Sequence, residues 1–144
     1  MKIAIFEDGW DDLIDRYSPI SGKEFRLIIY YASGISLTTK YLNADLRLKG
    51  FENFTLKSGL PSNEEIPKAD LYFLDGLRGD CFGLLEALPK KRSFVYTNNP
   101  VIRDELLSQG QRVLESYSDL EKVMDEFSSA NEPKAKPTKE RGKK

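Results

Sequence analysis

Short apolar runs alternate with amphipathic stretches along the first 127 residues of the chain. The apolar runs are rich in Ile, Phe, Tyr and Val, which is typical of strands, whereas the amphipathic stretches repeat near 3.6 residues, which is typical of helices. The pattern predicts strands at 2–6, 25–32, 51–57, 71–75, 93–96 and 112–114. It predicts helices at 10–17, 37–48, 83–88, 101–109 and 118–127. Strands that alternate with helices favour a parallel sheet with right-handed crossovers.

Residues 9–37 are the hardest to place, although 25–32 carries the strongest strand signal in the chain. This run either adds a strand to the sheet as part of an insertion, or it is the true second strand. The helix that follows has Ser36 as a candidate N-cap and Gly50 as a candidate stop.

Acidic side chains follow two of the predicted strands at the point where each strand ends. Glu7 and Asp8 follow the first strand, Asp75 ends the fourth, and Thr97 follows the fifth. Ligands of open parallel sheets bind beyond the carboxyl ends of the strands. If the two acid-bearing strands are parallel neighbours, three carboxylates converge and repel one another unless a hard cation such as Mg²⁺ joins them. Each acid alone is explained equally well as a helix cap or a loop residue, so the combination carries the prediction.

The composition limits the classes of protein to which the chain can belong. With 144 residues, 40% of them hydrophobic, it is long enough for one domain with its own core. A single cysteine, Cys81, excludes an internal disulfide, and the lack of histidine argues against zinc binding and histidine-based catalysis. No apolar run approaches the roughly 20 residues of a membrane span, and the N-terminus does not resemble a signal peptide. We therefore expect a cytoplasmic protein.

The net charge of −1 conceals an uneven distribution. Residues 131–144 carry six basic and two acidic side chains, a net charge of +4, which leaves −5 on residues 1–130. We expect 129–144 to form a disordered basic tail because it contains prolines and no large apolar residue. Such a tail solubilises the protein or attracts nucleic acid or an acidic partner weakly.

The order of the edge residues resembles the receiver domain of two-component response regulators. An acidic pair after the first strand, an Asp after a middle strand and a Thr after the next are arranged as in that family. Residues 46–56 resemble its first helix and second strand, 67–75 resemble the approach to its phosphoacceptor, and Gly83 stands where its third helix opens. The resemblance implies a flavodoxin-like fold, with a doubly wound parallel sheet of five strands in 1–128 and an insertion at 9–37.

The resemblance also implies a function for the acids. Asp75 would accept a phosphoryl group from a histidine kinase or a phosphotransfer protein, which makes the chain a signalling domain rather than an enzyme. Glu7, Asp8 and Asp75 would hold Mg²⁺ together with the backbone carbonyl of Leu77. Thr97 would bind the phosphoryl oxygens.

One position departs clearly from the receiver pattern. Glu115 stands where receivers carry a Lys, so a fourth acid replaces a cation. Four carboxylates around one phosphoryl group repel it and one another unless the side chain of Arg78, Arg103 or Arg112 lies among them. Receivers also carry an aromatic switch residue a few positions earlier, where this chain has Gln111 and Arg112.

Three interpretations stay open. In the first, Asp75 is phosphorylated; in the second, the chain is a pseudo-receiver that binds proteins without phosphorylation. In both the first and the second interpretation, a downstream protein would bind to the surface formed by residues 101–127, and no membrane would be involved. The third is a phosphatase of the haloacid-dehalogenase type. Leu77 argues against it, because that family has an acidic residue at this position.

Overall fold

Six parallel strands form one sheet in the computed structural model, which describes residues 1–32 and 39–131. In chain order they are β1 (Lys2–Glu7), β2 (Arg26–Tyr31), β3 (Phe54–Ser58), β4 (Leu71–Asp75), β5 (Ser93–Tyr96) and β6 (Arg112–Leu114). The order across the sheet is β3-β2-β1-β4-β5-β6, and every neighbouring pair is parallel. The predicted α/β fold with a parallel sheet is therefore confirmed.

Helices cover both faces of the sheet. They are α1 (Trp10–Tyr17), α2 (Thr39–Leu48), α3 (Cys81–Leu85), α4 (Pro100–Ser108) and α5 (Ser118–Asn131). Alternate strand residues point to opposite faces, so Ile3 and Ile5 join a core with α1, α2 and α5, whereas Ala4 and Phe6 join a core with α3 and α4. No helix in the two described stretches is long and apolar enough to cross a membrane.

The prediction of five strands is wrong, because the sheet has six. The run at 25–32 contains β2, which pairs directly with β1, and the run at 51–57 contains β3 at the edge. Burial explains the arrangement: Leu27, Ile29 and Tyr30 are buried, as expected for an interior strand, whereas β3 has exposed positions. The segment predicted as an insertion thus contributes α1 and β2 to the body of the domain.

Several predicted boundaries also differ from the structure. The helix predicted at 83–88 begins earlier, at Cys81, because a tight turn follows directly after β4. Helix α5 runs to Asn131, into the segment predicted as a tail. The predicted N-cap Ser36 and residues 132–144 lie outside the described residues.

The strand order places a crevice beside the acidic residues. Strands β2-β1-β4-β5-β6 reproduce the flavodoxin-like order, and β3 extends it to the 3-2-1-4-5-6 order of other doubly wound sheets. The winding reverses between β1 and β4, and ligands of such sheets bind where the strand order reverses, at the carboxyl ends of the strands. Glu7 ends β1 and Asp75 ends β4, so both stand at this point.

Asn99 caps α4, and its replacement by Ala should lower the free energy of unfolding by about 1 kcal/mol. Its side-chain oxygen accepts hydrogen bonds from the backbone N–H groups of Val101, at 2.9 Å, and Ile102, at 3.2 Å. Urea unfolding of Asn99→Ala measures the loss, and Asn98→Ala, which removes the same amide one residue earlier, is the control. Equal losses in both variants would contradict the assigned cap.

Candidate functional site

Three carboxylates converge where the sheet reverses its winding. Strands β1 and β4 are parallel neighbours, with Phe6 opposite Leu74, so the next residues of the two strands stand side by side. One oxygen from each of Glu7, Asp8 and Asp75 lies within 4.8 Å of the other two. The structure therefore brings together the three acids that the sequence places at the strand ends.

Burial makes this cluster electrostatically unusual. The Glu7 side chain is fully buried, and burial followed by the charge of Asp75 raises its pKa to about 8. The guanidinium of Arg16 and the backbone N–H groups of Gly9 and Asp8 oppose this rise. Burial, and then the charge of Asp75, also raises the pKa of Asp8. The cluster thus retains protons at a pH where isolated carboxyl groups have lost theirs.

Arg16, in the last turn of α1, supplies the cation that holds the cluster together. Its Nη1 atom donates to Glu7 Oε1 at 2.8 Å and to Asp75 Oδ1 at 3.1 Å. The guanidinium also lies over the Tyr96 ring, 4.6 Å from the ring centre. Burial alone would lower the pKa of Arg16, but the neighbouring negative charges, with Glu7 the largest, raise it. The side chain is therefore a permanent positive charge inside the site.

Arg16 was not predicted from the sequence, which instead suggested three other arginines. Arg103 pairs with Glu115 at 2.6 Å, and Arg112 pairs with Glu126 at 3.0 Å, with all four side chains well exposed. The charge of Arg78 opposes the rise in the pKa of Asp8, but Arg78 makes no salt bridge within the described residues. The sequence did hold a signal, because Arg16 is the single basic residue between Lys2 and Lys23, in a stretch rich in acids.

Glu115, at the position where a Lys was expected, stands apart from the three carboxylates. It follows β6 and is neutralised by Arg103, so it does not add a fourth charge to the cluster among the described residues. It lines a neighbouring cavity of about 550 Å³, a volume typical of small-ligand sites. The cavity lies beside Arg16 and is also lined by Asp12, Tyr96, Thr97, Asn98, Pro100, Arg103, Leu114 and Tyr117.

The turn after Asp75 fixes its carboxylate. The Leu77 backbone N–H donates to Asp75 Oδ2 at 3.0 Å, while Oδ1 accepts from Arg16. Leu77 and Arg78 have φ angles of 52° and 55°, a left-handed conformation that costs non-glycine residues energy. Strain of this kind concentrates at functional sites. The Leu77 carbonyl, expected as a metal ligand, accepts a hydrogen bond from the Asp80 N–H at 3.0 Å.

Thr97 lies next to this turn because Gly76 has no side chain. A Cβ atom at Gly76 would stand 3.0 Å from Thr97 Oγ1, closer than ordinary contacts allow. Thr97 follows β5, whose Tyr96 is opposite Asp75 in the sheet. Its hydroxyl oxygen accepts from the Asn99 N–H at 3.1 Å, and the side chain faces the 550 Å³ cavity. Thr97 and Arg16, the side chain that contacts Asp75, therefore line the same cavity.

The donor atoms fit a hard divalent cation. Three carboxylates within a few ångströms of one another provide the oxygen ligands that Mg²⁺ prefers. The Tyr17 hydroxyl, which is fully buried and has no partner in the part of the chain that the structure describes, lies in the field of the same acids. By contrast, a dinucleotide is disfavoured. Its pyrophosphate would meet Glu7, Asp8 and the acids of the first turn of α1 instead of a glycine-rich turn.

Cys81 is close to Asp75 but is not a reactive thiol. Its side chain is buried, and burial followed by the charge of Asp75 raises its pKa to about 11. At pH 8 we expect it to react with a disulfide reagent at least ~100-fold more slowly in the folded protein than in urea, because thiolate is the reacting form. Equal rates in the two conditions would contradict the burial of Cys81.

Comparison with known proteins finds no matching family model, no similar curated protein and no similar solved structure. The assignment of a function therefore depends on the chemistry of this site.

Proposed function

We propose that this chain is a receiver-like signalling domain in which Asp75 accepts a phosphoryl group from a histidine kinase or a phosphotransfer protein. The observation that carries the proposal is the contact of Arg16 Nη1 with Asp75 Oδ1, at 3.1 Å, inside the cluster of Glu7, Asp8 and Asp75. Receivers place a Lys cation beside the phosphoacceptor. Until a cation binds, Arg16 provides that charge here, from α1 instead of from the end of β6.

The residues of the site suit a phosphoryl transfer. An Asp75 carboxylate oxygen forms a bond to phosphorus while the bond to the donor's imidazole nitrogen breaks and its electrons remain on that nitrogen. Asp75 is held in place by the Leu77 N–H and by Arg16. The guanidinium offers several donors to phosphoryl oxygens, and the Thr97 hydroxyl offers another. Mg²⁺, held by Glu7, Asp8 and Asp75, would supply neutralisation of the charge on the transferred group.

An amide NMR titration tests this proposal. Mg²⁺ is added first, and beryllofluoride, which mimics an aspartyl phosphate, is added second. We expect beryllofluoride to shift the resonances of Glu7, Asp8, Leu77 and Thr97 in the native protein. The shifts should be absent in Asp75→Asn and retained in Asp125→Asn, a control on the exposed surface of α5. No response in the native protein, or the same response in Asp75→Asn, would rule out Asp75 as the phosphoacceptor.

A second candidate function has its own supporting observation. Arg16 already contacts both Glu7 and Asp75, so these two acids have a partner without a cation or a phosphoryl group. A pseudo-receiver of this kind would act by binding a protein through 101–127. Three large apolar side chains in that segment are exposed: Val101 at 77%, Leu107 at 50% and Tyr117 at 45%. An unresponsive native protein in the titration would favour this function.

A further inference from the structure

We infer that Arg16 and a divalent cation compete for the same carboxylates, so that binding of the cation releases Arg16 from Glu7 and Asp75 into the neighbouring cavity. This inference rests on the proposed function, because the cation is the one that would accompany a phosphoryl group at Asp75. It adds regulation to that function, since the cation would change the position of a side chain on α1.

The competition follows from the atoms that Arg16 uses. A single nitrogen, Nη1, contacts both Glu7 Oε1, at 2.8 Å, and Asp75 Oδ1, at 3.1 Å. Two of the three carboxylates that could bind a cation are therefore already engaged. A cation that used the same two oxygens would lie against the guanidinium, and like charges at that separation repel strongly away from bulk water.

One guanidinium does not compensate three carboxylates. Arg16 contacts Glu7 and Asp75 and makes no hydrogen bond to Asp8 within the described residues, although one Asp8 oxygen lies within 4.8 Å of an oxygen of each of the other two acids. A divalent cation brings twice the charge of Arg16 and can contact all three acids. The cluster is thus better neutralised by the cation than by the side chain that occupies it.

The cavity gives Arg16 another place to lie. Arg16 lines the 550 Å³ cavity together with Asp12, which has no salt bridge among the described residues, and Glu115, which is already paired with Arg103. Asp12 precedes Arg16 by four residues on α1, a spacing that allows an ion pair along a helix. The Nε atom of Arg16 is buried and has no partner among the described residues. Movement of the side chain would therefore not break a hydrogen bond at that atom.

Tyr17 provides independent support for a second arrangement of the site. Its side chain is fully buried, yet its hydroxyl has no hydrogen-bond partner within residues 1–32 and 39–131. Glu7 contributes more than any other charge to the raised pKa of Tyr17, so the hydroxyl lies in the field of the cluster. A buried hydroxyl without a partner is costly. The arrangement in this structure therefore leaves one buried polar group beside the cluster unsatisfied.

Two measurements test the inference with Mg²⁺ as the probe. In the native protein, the side-chain Nε–H resonance of Arg16, assigned by its loss in Arg16→Lys, should shift together with the amides of Asp8 and Gly9. By calorimetry, Arg16→Gln should bind Mg²⁺ about tenfold more tightly than the native protein, because a competing charge has been removed. Arg103→Gln is the control, because it removes from the same cavity a guanidinium that is paired with Glu115 instead of with the cluster. Its affinity should remain within about twofold of native.

The inference is overturned if Arg16→Gln binds Mg²⁺ equally or more weakly, or if neither protein binds it. It is also overturned if the amides of the cluster shift while the Arg16 Nε–H resonance does not. If Arg16→Gln fails to fold, the native titration decides alone. Release of Arg16 by Mg²⁺ without a beryllofluoride response would support the inference and remove the proposed function. A beryllofluoride response with an unmoved Arg16 would support the proposed function and overturn the inference.

Discussion

Replacing Arg16 by Gln should lower the free energy of unfolding by about 3 kcal/mol, since removal of one partner leaves buried carboxylates without their cation. Glu7 is fully buried, and the Asp75 side chain is only 20% exposed, so water cannot replace the guanidinium well. Arg16 lowers the pKa of Glu7, and its loss must raise that pKa further. A carboxyl group whose pKa is raised by folding destabilises the protein as the pH rises toward that pKa. Below about pH 8 Glu7 keeps its proton in both folded proteins, so the deficit of Arg16→Gln should grow only as the pH rises above about 8, where Glu7 ionises in the native protein but not in the variant.

Urea unfolding at several pH values measures this effect, and Arg103→Gln is the matched control. Arg103 also forms a short ion pair, at 2.6 Å from Glu115, but both side chains are roughly half exposed. Solvent screens such pairs, so its loss should change the free energy of unfolding by at most about 1 kcal/mol. Similar losses in the two variants would show that Arg16 is not a buried cation that the cluster requires.

Replacing Phe73 by Ala should lower the free energy of unfolding by about 3 to 5 kcal/mol, the usual cost of emptying the site of a buried aromatic ring. Phe73 is fully buried in the middle of β4. Its ring centre lies 5.4 Å from that of Phe94 and 5.9 Å from that of Tyr17. The cavity would thus open directly beneath the helix that carries Arg16.

Thermal or urea unfolding measures the loss in Phe73→Ala, with Leu48→Ala as the control. Leu48 ends α2 and is 84% exposed, so its truncation should change stability by less than about 0.5 kcal/mol. A small loss in Phe73→Ala would contradict the assignment of β4 to the interior of the sheet. Equal losses in both variants would contradict the assigned burial of the two side chains.

The sequence predicted the convergence of Glu7, Asp8 and Asp75 because the carboxyl ends of parallel strands meet at one edge of a sheet. That inference needs only the strand ends and the assumption that β1 and β4 are neighbours. The number of strands was harder to predict. The run at 51–57 alternates like an edge strand, and the run at 25–32 is apolar like an interior strand, but local pattern does not reveal which strand pairs with β1.

The cation of the site was not predicted, because its contacts depend on tertiary structure. Arg16 lies 59 residues from Asp75 in the chain and reaches it only once α1 packs on the sheet. The strained turn at Leu77 and Arg78 was also hidden, since left-handed backbone is expected at glycine rather than at these residues. The pairing of Glu115 with Arg103 likewise joins the segment after β6 to α4, a contact that the sequence pattern does not specify.

The most direct test of the proposed role of Asp75 is intact-mass spectrometry after incubation with Mg²⁺ and acetyl phosphate, a small phosphoryl donor that requires no partner protein. We expect a mass increase of one phosphoryl group in the native protein and none in Asp75→Asn. The acyl-phosphate bond of the donor breaks, acetate leaves, and the phosphoryl group remains on the Asp75 carboxylate. An unchanged native mass, or the same increase in Asp75→Asn, would show that Asp75 does not accept the phosphoryl group.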